Sequence, residues 1–112
     1  MTAPILNRKL ELQERQLTPD GTGGFSVSWI TLGTHYADVV SRRGTERLVG
    51  GRMVPSVTYI ITVRADPVAS PSRPVPDQRF VDGTRVFSIL AVSESDRHGQ
   101  YLECWAEEGS ET

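Results

Sequence analysis

The side chains able to do chemistry are few and scattered along this sequence. His35 and His98 are its only histidines, and Cys104 is its only cysteine. A Cys–His pair would generate a thiolate nucleophile, and a metal site would gather ligands at short fixed spacings. Neither C-x-x-C nor H-x-x-x-H occurs. Cys104 falls in the alternating run YLECWAE, on the same face as Leu102 and Ala106, where a free cysteine behaves as a small hydrophobe. His98 precedes Gly99 in a polar turn. Asp66, Asp77 and Asp82 lack the regular alternation of a Ca²⁺ loop; Asp66 precedes Pro67, and Asp82 belongs to an Asp-Gly turn signal. Gly21, Gly23 and Gly24 have neither the lysine nor the following helix of a phosphate cradle, so they read as turn formers. No nucleophile elbow frames a serine. The expectation is a non-enzyme with no catalytic, metal or cofactor-binding residues.

A chain of 112 residues with 38% hydrophobic and 23% charged residues suits one domain with one modest core, residues 1–112. The formal net charge of −2 exerts no general pull toward nucleic acid or membrane. No apolar run approaches the ~20 residues of a membrane span, and no secretory leader is evident at the start. Together with the lone cysteine this indicates folding in a reducing cytoplasm. Eleven of the twelve basic residues are arginine, eight of them between Arg42 and Arg85, whereas four glutamates and no basic residue follow from Glu103 onward. The middle is mildly basic and the tail acidic.

The elements that would position these residues are strands. Residues 8–15 alternate, with Leu10 and Leu12 inward, a dyad period that favours a strand over the short helix that Glu and Gln would also allow. Residues 18–24 are turn chemistry throughout. Residues 25–32 place Phe25, Val27 and Trp29 on one face opposite Ser26 and Ser28, with Ile30 and Leu32 extending the second face toward cover. Gly33 breaks or bulges the run, and residues 34–42 form a third strand with Ala37 and Val39 on one face and Tyr36 and Val40 on the other. Residues 43–55 are expected to be a short helix or an ordered loop, because Gly50-Gly51 stops any long helix. Residues 56–64 are the clearest strand, with Val57, Tyr59, Ile61 and Val63 on one face. Asp82-Gly83 joins a very short strand at 79–81 to a near-continuous apolar one at 84–92, expected to be covered on both faces. Residues 101–107 form the last strand. The fold class is therefore all-β: a small antiparallel barrel or sandwich of six or seven short strands, with at most one short helix.

The remaining feature is a long proline-rich stretch, residues 65–78, between the fourth and fifth of these strands. Pro67, Pro71, Pro74 and Pro76 remove backbone donors and fix φ, so the segment is neither helix nor central strand. A loop of this length in a small domain is usually functional or disordered. With no chemistry for a lid to cover, it is expected to be a stiff projecting assembly loop built from Ala65, Asp66, Pro67, Val68, Pro71, Arg73, Pro74, Pro76 and Asp77. Residues 1–7 are expected to be a flexible arm and 108–112 a polar tail.

The ordered set of features resembles the bacteriophage head–tail joining proteins, also called head closure or stopper proteins. The resembling residues are Leu10 and Leu12; Asp20, Gly23 and Gly24; Phe25 and Ser28-Trp29; Ala37 and Val39; Gly44 and Glu46; the strand ending at Arg64; Gly83 before Phe87 and Ile89; and Leu102, Cys104 and Glu107. The resemblance spans nearly the whole chain. It implies a β-barrel that forms a ring, typically a hexamer, beneath the portal–adaptor complex. Such a ring retains packaged DNA, meets DNA transiently and non-specifically in its channel, and presents the tail attachment surface to a tail terminator or tail tube. The setting it implies is the neck of a virion or phage-like particle assembled in a bacterial host cytoplasm: a phage, a prophage remnant or a gene transfer agent. Arg47, Arg52, Arg73 and Arg79 are the candidates for lumen or intersubunit contacts. Two other readings stand beside it. One is a tail terminator or other neck protein of the same particle. The other is a small barrel that binds nucleic acid through Tyr59, Phe80, Phe87, Tyr101 and Trp105.

Overall fold

A computed structural model describes residues 4–66 and 70–109; the side chains of residues 43–45, 47, 49 and 54 lie outside that description. Six antiparallel strands close into a barrel: β1 (Arg8–Pro19), β2 (Phe25–Val49), β3 (Arg52–Arg64), β4 (Arg79–Asp82), β5 (Arg85–Glu94) and β6 (Tyr101–Glu108). Around the barrel the order is β1-β2-β3-β6-β5-β4, and β4 returns to β1. Closure leaves no free sheet edge in the barrel wall. Inside are Leu10 and Leu12 of β1, Ala37 of β2, Ile61 and Val63 of β3, Phe80 of β4, Phe87 and Ile89 of β5, and Leu102, Cys104 and Ala106 of β6. The alternation read in β1, β3 and β6 is thus the alternation of the wall.

The strand count hides one surprise. The two strands expected at 25–32 and 34–42 are a single β2 of 25 residues. It pairs with β1 through residues 25–37 and with β3 through residues 37–49. Gly33 does sit at a bulge: Leu12 faces Gly33 while Gln13 faces Thr31, so Leu32 is an extra residue. A second irregularity lies between Ser41 and Gly44. Bulges bend a strand and increase its twist, and here they allow one strand to leave the barrel at both ends.

Residues 43–55 are neither helix nor loop, and the expectation there is corrected. They form a hairpin in which Leu48 pairs with Met53 and Val49 with Arg52. Gly50 and Gly51 make the two-residue turn, both with positive φ (57° and 80°), the conformation that suits the twist of a tight hairpin. The expectation of a doubly covered β5 is also corrected. Phe87 and Ile89 point in, but Leu90 is 50% exposed and is itself the extra residue of a bulge opposite β6.

The proline-rich segment is corrected as well. β3 and β4 stand on opposite sides of the barrel, so their connection must cross its mouth. Its described residues do not project; they cap the core. Pro74 is fully buried, and a proline can be buried there without stranding a backbone N–H. Gln78 is buried; its backbone carbonyl accepts from Ile89 N at 2.9 Å, and its side-chain oxygen accepts from Val75 N at 3.1 Å. Pro67 and Val68 lie outside the described residues.

Candidate functional site

Among the described residues no cleft gathers the titratable side chains into an active centre; the features that stand out are two ribbons, a cap and a latch. Beyond the last β1–β4 pair, Gln13 with Arg79, β1 and the start of β2 continue alone as a two-stranded ribbon, residues 14–30. Beyond the last β3–β6 pair, Val57 with Glu108, the end of β2 and the start of β3 do the same, residues 43–56. Each ribbon has six or so residue pairs, a reach of ~20 Å at the usual strand rise. Because β2 runs through both, the ribbons leave opposite ends of the barrel. They account for the extents of 52 × 34 × 24 Å and a radius of gyration of 15.2 Å, against about 13 Å for a compact domain of this length.

The first ribbon has one apolar face. Leu17 pairs with Val27 and Pro19 with Phe25, and Leu17, Phe25 and Val27 are 51%, 65% and 51% exposed. Alternation grouped Phe25 and Val27 on one face of their strand without saying which way that face points. The bulge at Leu32 shifts parity by one residue, so the ribbon's apolar face continues the outer wall of the barrel. The ribbon's base is braced there: the Arg79 guanidinium lies 3.9 Å from the centre of the Trp29 ring, and Arg79 Nε donates to Gln13 Oε1 at 2.8 Å. The tip is tied by Asp20, whose carboxylate accepts from the backbone N–H of Thr22 and Gly24 and from the Thr22 hydroxyl. The Thr22 bonds hold the Asp20 pKa below the ordinary aspartate value.

The cap is fastened by a cluster that the sequence did not reveal. Buried His35 places Nε2 2.7 Å from the Ser72 carbonyl oxygen. A carbonyl only accepts, so Nε2 carries the proton. Ser72 Oγ donates to Asp66 Oδ2 at 2.8 Å, and Arg73 donates to the Asp66 carbonyl at 2.8 Å. His35 also stands edge-on to Phe80. The histidine meets the serine carbonyl and not its hydroxyl, so the trio is a clasp and has no proton relay to a nucleophile. No local signal could have found it, since His35 and Ser72 are far apart in sequence and meet only because the cap crosses the barrel.

At the other end, Arg85 holds Glu108 in a two-pronged ion pair of 2.7 and 3.0 Å. The Tyr59 hydroxyl donates to the same carboxylate at 2.9 Å, and Tyr59 packs edge-on against Phe87. The Arg85 hydrogen bonds pull the Glu108 pKa below the ordinary range. Burial, with the bond to Glu108 added, raises the Tyr59 phenol. Cys104 is enclosed in the core, and burial pushes its thiol up to about 12, so it is held as a neutral hydrophobe.

The residues expected to form an assembly loop therefore divide. Ala65, Asp66, Arg73 and Pro74 are engaged in the cap, whereas Pro71, Pro76 and Asp77 are exposed on it. Asp77 adopts a φ of 76°, a left-handed conformation that an aspartate tolerates better than most residues. The four arginines divide too. Arg73 and Arg79 are tied within the chain. Arg52 is exposed beside the turn of the second ribbon, and Arg47 belongs to that ribbon, with its side chain outside the described residues. The second ribbon, residues 43–56, replaces the short helix or loop expected there. Its signal was present in Gly50-Gly51, flanked by Leu48-Val49 and Met53-Val54, a two-residue hairpin pattern.

The described residues thus form a six-stranded barrel with a two-stranded ribbon at either end. The chain matches the phage head completion protein family over residues 1–109, and it belongs to that family. Its role is structural, in the head–tail region of a phage-type particle. Among solved structures, a chain of the virion of a native gene transfer agent particle is 44% identical, with a TM-score of 0.83, covering 96% of this chain and 98% of that one. A protein from Shigella flexneri 2a, determined in solution, is 22% identical over the full length of both chains and shares the fold with a TM-score of 0.68. No curated protein matches the chain.

Proposed function

We propose that this chain is the head closure subunit of a phage-like or gene-transfer-agent particle. Copies form a ring beneath the portal–adaptor complex, retain the packaged DNA and present the surface to which the tail attaches. The observation that carries this reading is the pair of ribbons at opposite ends of a closed barrel. A subunit so built can reach neighbouring subunits beyond both ends of its barrel while its body stays rigid. Two-stranded ribbons are marginal on their own, so they gain order from a neighbour. The second ribbon adds three arginines, Arg43, Arg47 and Arg52, against one glutamate, Glu46. That modest excess suits a channel in which DNA must pass without being held tightly. Pro71, Pro76 and Asp77, exposed on the cap, are the part of the proline-rich segment that meets the adaptor ring.

The reading is tested by producing particles from a genome lacking this gene, with and without the gene supplied in trans. The expected result is heads that package DNA, lose it on purification and carry no tails, with full restoration on complementation. Electron microscopy of the restored particles should show a ring of this chain between head and tail. DNA-filled, tailed particles formed in its absence would overturn the reading.

A further inference from the structure

The first ribbon's apolar face and a groove on the barrel's outer wall match in chemistry. The groove, of about 620 Å³, crosses β2, β3 and β6 beside the N-terminal segment. Ile5, Val40 and Ile60 give it apolar walls, and Asp38, Asp96 and Glu103 give it an acidic rim. Arg42 is the one basic residue among those lining it, so its formal charge is three negative against one positive. The ribbon face presents Leu17, Pro19, Phe25 and Val27, and its register adds Arg15, paired with Trp29. The acidic Glu14 pairs with Ile30 on the ribbon's opposite, mainly polar face. An apolar strip with a cation beside it thus faces an apolar trough with an anionic rim, the arrangement that suits one partner and repels wrong ones.

We propose that the occupant of this groove is the first ribbon of a second copy of the chain. Ribbon and groove are different surfaces of one molecule, so the contact is heterologous: each copy gives its ribbon to one neighbour and receives a ribbon from the other. Contacts of that kind close into rings and do not stop at dimers. The inference rests on the ring reading above and names the surfaces that make the ring.

The test uses two single-cysteine chains, Val27→Cys on the ribbon and Val40→Cys in the groove, assembled together into particles and oxidised. Native Cys104 is buried and does not compete. The expected result is a covalent dimer from the mixture and none from either chain alone, with a ladder of higher multimers from a chain carrying both changes. Arg15→Glu should lower the copies retained per particle at least tenfold, and adding Glu103→Arg should restore them. If particles hold several copies but the mixture does not cross-link, the ribbon–groove contact is wrong and the ring stands. If either single variant cross-links to itself, the contact is isologous and the proposal fails. If purified particles hold one copy, both the ring and this contact are wrong.

Discussion

Phe80 and Phe25 allow the core and the ribbon to be separated by a single kind of substitution. Phe80 is fully buried, paired with Leu12 on one side and Phe87 on the other, with His35 edge-on to its ring. Phe80→Ala removes that packing and leaves a cavity beneath the cap, a loss of about 3–5 kcal/mol. For a domain of this length each kcal/mol corresponds to about 4 °C, so the midpoint should fall by about 12–20 °C. Phe25 is 65% exposed and buries only about a third of its surface within the chain. Burying a whole side chain of this kind is worth about 1.5–3 kcal/mol, so Phe25→Ala should cost about 0.5–1 kcal/mol. The corresponding change in midpoint is about 2–4 °C. Thermal unfolding of the dilute protein followed by circular dichroism gives both numbers. The order should reverse in assembly: Phe25→Ala should fold normally yet give few tailed particles. Equal thermal losses for the two variants would refute the separation of ribbon from core, and wild-type particle yield from Phe25→Ala would refute the ribbon's role in assembly.

Two further outcomes follow from the latch and the thiol. Glu108 has its pKa depressed by the Arg85 hydrogen bonds and then by the Tyr59 hydroxyl. A depressed carboxylate contributes stability that is complete above its unfolded value, about 4.3, and is lost as pH falls through the folded one. Glu108→Gln should therefore lower the midpoint at pH 7 and flatten its decline below about pH 4; an unchanged acid limb would show that the latch contributes nothing. Cys104, buried with its thiol pushed up to about 12, should resist alkylation at pH 8 for hours in the folded protein and react within minutes in denaturant. Full labelling of the folded protein within minutes would place it outside the core.

The sequence by itself determined the class of fold and most of the wall. Leu10 and Leu12, Ile61 and Val63, and Leu102, Cys104 and Ala106 alternate with polar neighbours. In those stretches a dyad period permits one strand with one inward face. The Asp82-Gly83 turn was also legible, since turn chemistry is local; the central pair proved to be Gly83-Thr84, one residue along. The ordered features were enough to suggest the family. Three things were decided only in three dimensions. The extra residue at Leu32 inverted the parity of β2, which sent Phe25 and Val27 outward although their pattern is that of core residues. The strand order set β3 and β4 on opposite sides of the barrel, and this laid the described residues of the proline-rich segment over the core, with Pro74 buried among them. That same crossing carried Ser72 to His35. Local pattern records which residues alternate; it holds no record of where a bulge changes the count or of which strands become neighbours. Those are settled by closing the barrel.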